Sequence, residues 1–216
     1  MSQTYFAHYR PEMIPFLPSA PHAVLEIGCG EGNFARNFPN VDQLDYWGIE
    51  LDPSAGHTAR KTLKHVLIGD YNELVHQIPT SHFDLVICND VIEHMPDTKD
   101  FLAKIKAHMK PDARLIGSIP NVRHISHLYE LLIKKDWEYK PAGILDDTHL
   151  RFFTERSWQR TLETAGYSIE KITGINPVLM YDSRVEKRLQ KLMIRLLGRD
   201  TRYLQFGFSA HLSTGH

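Results

Sequence analysis

Three groups of residues in this sequence have the types and spacing that chemistry needs. Glu26-x-Gly28-x-Gly30-x-Gly32 closes a short apolar run, Ala23 to Ile27, which reads as a buried parallel strand. Glycine permits a sharp turn there and lets a ligand lie against the main chain. Turns at the carboxyl edge of an open α/β sheet are where ligands bind. Glu50 ends a second strand, 20 residues beyond Gly30, where a carboxylate can accept from both hydroxyls of a ribose. Asp70 ends a third strand. A fourth apolar run, Phe83 to Asp90, leads into Glu93-His94, and His149 stands in a distant polar stretch. Histidine exchanges protons near neutral pH, so His94 and His149, with His124 third, are the candidates for acid–base work.

The glycine spacing narrows the ligand. A dinucleotide loop reads G-x-G-x-x-G. Here the pattern is G-x-G-x-G, and Asn33 stands where the third dinucleotide glycine belongs. Glu26 is a second departure, because a carboxylate inside the strand suits a cationic ligand better than a pyrophosphate. The pair argues for a nucleoside with a positive charge and against a nicotinamide enzyme.

Alternating elements must position these groups. A proline-rich arm, residues 1–22, carries a short helical turn at Glu12 to Phe16. The plainer expectation is an arm packed on the sheet; the alternative is a lid with Tyr5, Tyr9 or Arg10 facing the ligand. After the glycine loop come a short helix at Asn33 to Asn37 and a strand at Tyr46 to Leu51. Asp52 caps the next helix, with Pro53 in its first turn. Further strands are expected at Lys64 to Asp70 and Phe83 to Asp90, with a helix at Tyr71 to Ile78. Asp97 or Thr98 caps a helix to Met109 with apolar Phe101, Leu102 and Ile105. Lys110 begins a turn into a fifth strand ending at Pro120. Thr154 opens a helix that Gly166 ends, then strands run over Tyr167 to Gly174 and Tyr203 to Leu212, around a basic amphipathic helix at Tyr181 to Leu197. The long segment between Trp137 and Thr154 has little periodicity, and such a stretch in a compact domain is usually functional.

Composition excludes several classes. The 216 residues are 42% hydrophobic and 24% charged, ordinary for one soluble domain. A formal charge of −1 gives no general attraction to nucleic acid or anionic membrane. Cys29 and Cys88 fall at strand ends and read as reduced interior thiols. No apolar run approaches the roughly 18 residues of a membrane span, and no leader pattern opens the chain. The expected location is the cytoplasm.

With these residues in place, Glu26-x-Gly28-x-Gly30-x-Gly32 resembles motif I of class I S-adenosylmethionine (SAM)-dependent methyltransferases. Phe83-Asp-Leu-Val86 followed by Glu93-His94-Met95-Pro96 is similar to the strand-four loop of the same family, and the resemblance in motif order covers residues 20–212. Pro120-Asn-Val-Arg-His124, the Trp137/Tyr139 pair and Leu145-Asp-Asp-Thr-His-Leu-Arg-Phe-Phe-Thr154 resemble a bacterial subgroup associated with surface-polysaccharide and sugar modification. The Glu93-His94 loop is also similar to that of ubiquinone-pathway O-methyltransferases.

The resemblance implies an α/β, Rossmann-like, seven-stranded sheet, mostly parallel with an antiparallel last strand and helices on both faces. It implies one domain over residues 1–216, with residues 120–154 inserted to shape the acceptor pocket. The implied cofactor is SAM. Gly28, Cys29, Gly30 and Gly32 would carry its methionine part, with Glu26 near the amino group. Glu50 and Leu51 would take the ribose, Asp70 and Tyr71 the adenine, and Asn89, Asp90 and Val91 the methionine end. His94 and His149 are the expected catalytic residues. Asp90-x-x-Glu93-His94 with His149 also resembles the Mg²⁺ site of small-RNA 2′-O-methyltransferases; lacking a basic RNA-binding surface, the chain is expected to use no metal.

The expected reaction is methyl transfer to a hydroxyl, less readily an amine, of a sugar or small metabolite. The alternatives are a metal-assisted ribose 2′-O-methyltransferase and a non-catalytic accessory subunit of a glycan-assembly complex. Aromatic planes at Trp137 and Tyr139 suit a sugar face. No nucleic-acid partner is expected. The basic helix leaves peripheral membrane contact open, and the chain reads as a monomer or homodimer.

Overall fold

The computed structural model describes residues 9–178 and 184–213, with backbone alone for 184–187 and 189. Tyr5 of the expected lid and Tyr181 of the expected last helix lie outside the described residues. The strands are β1 Ala23–Ile27, β2 Asp45–Glu50, β3 His65–Ile68, β4 Phe83–Asn89, β5 Met109–Pro120, β6 Tyr167–Pro177 and β7 Tyr203–Leu212. They form one seven-stranded sheet in the order β3-β2-β1-β4-β5-β7-β6. Strands β1 to β5 pair in parallel, and β7 runs antiparallel to both β5 and β6.

Both faces of the sheet are covered, which is why β1 is buried at every position. Successive side chains point to opposite faces. Leu25, Ile27, Val86 and Cys88 pack with Phe101, Ile105, Trp158 and Phe208 on one side. Val24, Leu85 and Ile87 pack with Met13, Phe16, Phe34 and Tyr46 on the other. Glu26 shares the parity of Val24, so it enters the second layer.

The helices follow their local signals. Asp52 accepts from the Ala55 N–H and starts α1, Pro53–Ala59. Asp70 caps α2, Tyr71–Leu74, which tightens into a 3-10 turn at Val75–Gln77. The expected helix to Ile78 is thereby shortened, because Pro79 holds Ile78 in extended backbone. Asp97 caps α3, Thr98–His108, with Phe101, Leu102 and Ile105 buried. The short α4, Ile125–Tyr129, runs on into one π-helical turn, Glu130–Lys134. A Thr154/Ser157 capping box opens α5, Glu155–Thr164, and α6 spans Arg184–Leu197. The turn expected at Lys110 lies inside β5 instead; pairing with β4 shifts register there, between Phe83↔Met109 and Leu85↔Arg114.

Asn121 fastens the segment that follows β5. Its side-chain amide donates to the Asp200 and Tyr203 carbonyls at 2.9 Å each, and its Oδ1 accepts from the Arg123 N–H at 2.9 Å. Phe153, at the segment's other end, forms an isolated bridge with Asn121 and accepts from the Val122 N–H at 3.1 Å. The excursion between them is therefore closed at its base. Replacing Asn121 by Ala takes a part-buried donor from the Tyr203 carbonyl, the acceptor from the Arg123 N–H, and one of two donors from the Asp200 carbonyl, which keeps the Tyr203 N–H. Asn121→Ala is expected to lower unfolding stability by about 1–3 kcal/mol in urea denaturation.

Candidate functional site

Strand order alone places the chemical groups in a row. Asp70 follows β3, Glu50 ends β2, Glu26 to Gly30 leave β1, and Asn89 and Asp90 leave β4. They line one cavity of about 600 Å³, continued on the β4 side by Val91, His94, Met95 and Thr148. Cys29, Leu51 and Tyr71 also line it. Gly32 does not: a Cβ there would lie 3.1 Å from Leu63 and 3.4 Å from Ala59, so its lack of a side chain serves packing against α1. Gly28, at φ +73°, touches the ligand side, and a Cβ on it would meet Val91 Cγ2 at 2.5 Å.

Two buried carboxylates anchor the row. Glu50 Oε2 accepts from the Gly30 N–H at 2.7 Å and Oε1 from the Asp52 N–H at 2.8 Å. These bonds aim the carboxylate and tie the glycine loop to β2. Burial nevertheless raises its pKa, outweighing the two N–H donors. Glu26 is 3% exposed and accepts from Tyr46 Oη at 2.8 Å. Burial pushes its pKa up to about 8, against the smaller opposing pulls of Tyr46 and Arg10. A buried acid facing a cavity calls for a cationic ligand group. Asn89 is 8% exposed, and neither atom of its side-chain amide has a partner among the described residues. Together these groups fit a polar ligand with a positive charge and hydroxyls, the set a nucleoside-bearing amino acid offers.

Asp90 plays a part the sequence did not reveal. Arg10 Nη2 donates to Asp90 Oδ2 at 2.7 Å, Ser118 Oγ donates to Oδ1 at 2.7 Å, and the Gln205 amide donates to Oδ2. Arg10 thus crosses from the arm into the cavity wall. Met13 and Phe16, a few residues on, are buried in the layer under the sheet. The arm therefore packs and contributes a cavity residue; Tyr9 is exposed. An Arg just before a proline-broken turn was the available signal for this.

On the β4 side the structure brings Glu93, His94 and His149 together. Main-chain N–H groups of Leu150 and Arg151 donate to the Glu93 carbonyl at 2.8 and 3.0 Å, pinning the insertion onto the loop after β4. The His94 and His149 rings meet edge to face with centroids 4.8 Å apart. His94 lines the cavity, while His149, 8% exposed, lies behind it. Burial first, then His149, lowers the His94 pKa, whereas burial and Asp90 raise that of Glu93. His124 is elsewhere: it is buried and caps α4 through its bond with the Ser126 N–H. Trp137 and Tyr139 gather around Phe152 and are not part of the cavity wall.

A family profile described as a methyltransferase domain matches residues 3–172. A mitochondrial ubiquinone biosynthesis O-methyltransferase of Schizosaccharomyces pombe is 33% identical over 166 residues, covering 72% of this chain and 59% of that protein. A malonyl-acyl-carrier-protein O-methyltransferase of Halalkalibacterium halodurans is 26% identical over 153 residues, covering 66% and 55%. The chain thus spans little more than half the length of these curated relatives. A SAM-dependent methyltransferase from Archaeoglobus fulgidus has the same fold, with a TM-score of 0.66 at 18% identity over 97% of this chain and 93% of that one. One from Mesorhizobium loti gives a TM-score of 0.61 at 15% identity, over 93% and 96%.

The Glu26 environment yields a pH dependence of known sign. With its pKa near 8, the free protein holds Glu26 mostly protonated at pH 7. A ligand ammonium favours the carboxylate, so binding expels a proton. Affinity for S-adenosylhomocysteine, which keeps the ammonium, should rise with pH up to about 8, by as much as about tenfold per unit, then level off. Calorimetry in buffers of different ionisation enthalpy should show proton release at pH 7, and Glu26→Gln should abolish it.

Proposed function

The chain belongs to the class I SAM-dependent methyltransferases, and from that premise we propose that it moves a methyl group to a hydroxyl of a sugar or other small molecule. The observation that carries this reading is the row of Asp70, Glu50 and Glu26 along one cavity with His94 beyond them. SAM, when bound, supplies a methyl carbon on a positively charged sulfur, open to in-line displacement.

The chain's own residues do the rest. Glu26 takes the ammonium at the amino-acid end, and Arg10 brings the opposite charge to that end, as a zwitterion requires. Glu50, oriented by the Gly30 and Asp52 N–H groups, takes the ribose hydroxyls. Asp70 and Tyr71 bound the adenine end, and Gly28, Cys29, Gly30, Leu51, Asn89 and Val91 shape the wall between. Holding the acceptor in line supplies roughly 7–11 kcal/mol of the barrier reduction. A hydroxyl must also shed its proton, a role we assign to His94, on the cavity wall, with His149 packed behind it.

Oxygen is favoured over nitrogen as the acceptor atom by the two relatives described, both named as O-methyltransferases. The sugar assignment rests on the subgroup resemblance of residues 120–154 and connects the chain to polysaccharide biosynthesis. We read residues 1–22 as an arm and 120–154 as the acceptor insertion of a single domain acting in the cytoplasm. Among the described residues, no helix is long and apolar enough to cross a membrane.

The test is calorimetric binding of SAM followed by methyl transfer from labelled SAM to a panel of nucleotide sugars and small hydroxyl compounds. Glu50→Ala should weaken SAM binding roughly 10–100-fold, the loss of hydrogen bonds to a charged group. His149→Ala should keep SAM affinity within a few-fold yet lower turnover by about 10²–10⁴. Failure to bind either SAM or S-adenosylhomocysteine would end the proposal; SAM binding with no turnover on any acceptor would favour an accessory subunit.

A further inference from the structure

The side chains of Glu93, His94 and His149 offer one carboxylate and two imidazoles whose ligating atoms all lie within 4.8 Å of one another. Glu93 is 0% exposed, and neither of its carboxylate oxygens has a hydrogen-bond partner among the described residues. Leaving a buried carboxylate without donors is costly. Its neighbour His149 Nε2 is 3.8 Å from Oε1. That is too long for a hydrogen bond and within reach of two ligands bonded to one ion at about 2.0–2.2 Å each.

The histidine tautomers point the same way. His94 Nδ1 faces the Thr148 carbonyl at 3.2 Å and the Thr148 hydroxyl, which itself donates to Asp146, at 3.1 Å; His149 Nδ1 faces the Ile144 carbonyl at 3.0 Å. A carbonyl can only accept, so each Nδ1 carries the proton and each Nε2 keeps its lone pair. Metal-ligating histidines are held in this way, by donating their second nitrogen to a carbonyl or carboxylate. The Leu150 and Arg151 bonds to the Glu93 carbonyl build the cluster into the fold before any ligand arrives.

We propose that Glu93, His94 and His149 hold a divalent transition-metal ion of the Zn²⁺ class, with its remaining coordination positions open to the cavity that His94 lines. Two imidazoles and a carboxylate suit zinc, cobalt, manganese or iron, whereas Mg²⁺ and Ca²⁺ take oxygen donors. Asp90, three residues before Glu93, is not a ligand, because Arg10, Ser118 and Gln205 occupy its oxygens. The expectation of no metal rested on the lack of an RNA-binding surface, which bears on the acceptor and not on these donors.

The role of the ion rests on the methyltransferase reading. The acceptor it selects is one that presents a hydroxyl, or two neighbouring hydroxyls, to the open positions. Coordination makes that hydroxyl more acidic. Its proton passes to solvent water, its oxygen bonds to the methyl carbon, and the carbon–sulfur bond breaks with the electron pair staying on sulfur.

The test uses the full chain after chelator treatment, titrated with Co²⁺ and followed by visible d–d absorption, then with Zn²⁺ in competition. One ion per chain is expected, with the intense absorption of a low-coordinate Co²⁺ site. Glu93→Gln, His94→Ala and His149→Ala should each weaken binding by at least about tenfold, while Asp90→Asn should bind as the parent does and equimolar Mg²⁺ should not displace Co²⁺. S-adenosylhomocysteine binding by each variant reports folding and tests the methyltransferase reading separately; the isosteric Glu93→Gln keeps the test alive if an alanine variant fails to fold. Absence of stoichiometric Co²⁺ and Zn²⁺ binding in protein that binds S-adenosylhomocysteine overturns the site and leaves the histidines as direct bases. Loss of the ion in Asp90→Asn overturns the ligand set, and displacement by Mg²⁺ overturns the ion class.

Discussion

Parallel register is the constraint on which the site depends. Ile27 lies opposite both Ile49 and Cys88, and Glu50 lies opposite Ile68, so β1, β2, β3 and β4 end nearly level. Main-chain bonds continue past the strand ends: the Gly28 and Cys29 N–H groups both donate to the Ile49 carbonyl, Gly69 donates to Glu50, and Asp90 to Ser118. Each strand therefore releases its chain at the same height, and the groups that follow stand side by side. A slip of one residue would move Glu26 to the opposite layer.

The level edge is bordered by charge that a core would not tolerate unaided. Glu26, Glu50 and Glu93 are all buried, and all three carboxyls have raised pKa values with burial as the leading cause. Their satisfaction differs in kind. Among the described residues, Glu50 has main-chain donors on both oxygens, Glu26 has one tyrosine, and Glu93 has none. That gradient separates an acid held by the fold from acids left for something the fold receives. Apolar clusters on either side of the sheet hold the backbone while the edge carries this unfavourable burial.

Most of the helix ends were legible because their causes are local. Asp52 and Asp97 cap the helices that follow them, Thr154 pairs with Ser157 in a capping box, and Gly166 takes up φ +78°. Two boundaries moved for reasons that also sit in the sequence but compete with periodicity: Pro79 ended one helix early, and the residues after Lys110 stayed in the strand across a register shift. Gly32 read as part of a ligand loop because spacing does not distinguish a glycine that makes room for a ligand from one that makes room for a helix.

In the sequence by itself, hydrophobic period marked the alternating elements, and the motif resemblance implied the layered fold and which strand-end residues would share the cavity; the strand order that sets those residues in a row came with the structure. Tertiary structure decided the assignments that depend on side chains meeting across long separations. Arg10 reaches Asp90 over 80 positions, which removes that carboxylate from the Glu93-His94 group although it stands three residues away in the chain. His149 meets Glu93 because two main-chain bonds pin the insertion there. Periodicity and motif spacing report what a residue's neighbours in sequence require; which carboxylate is already occupied, and which is left without a donor, is set only when distant segments close on one another.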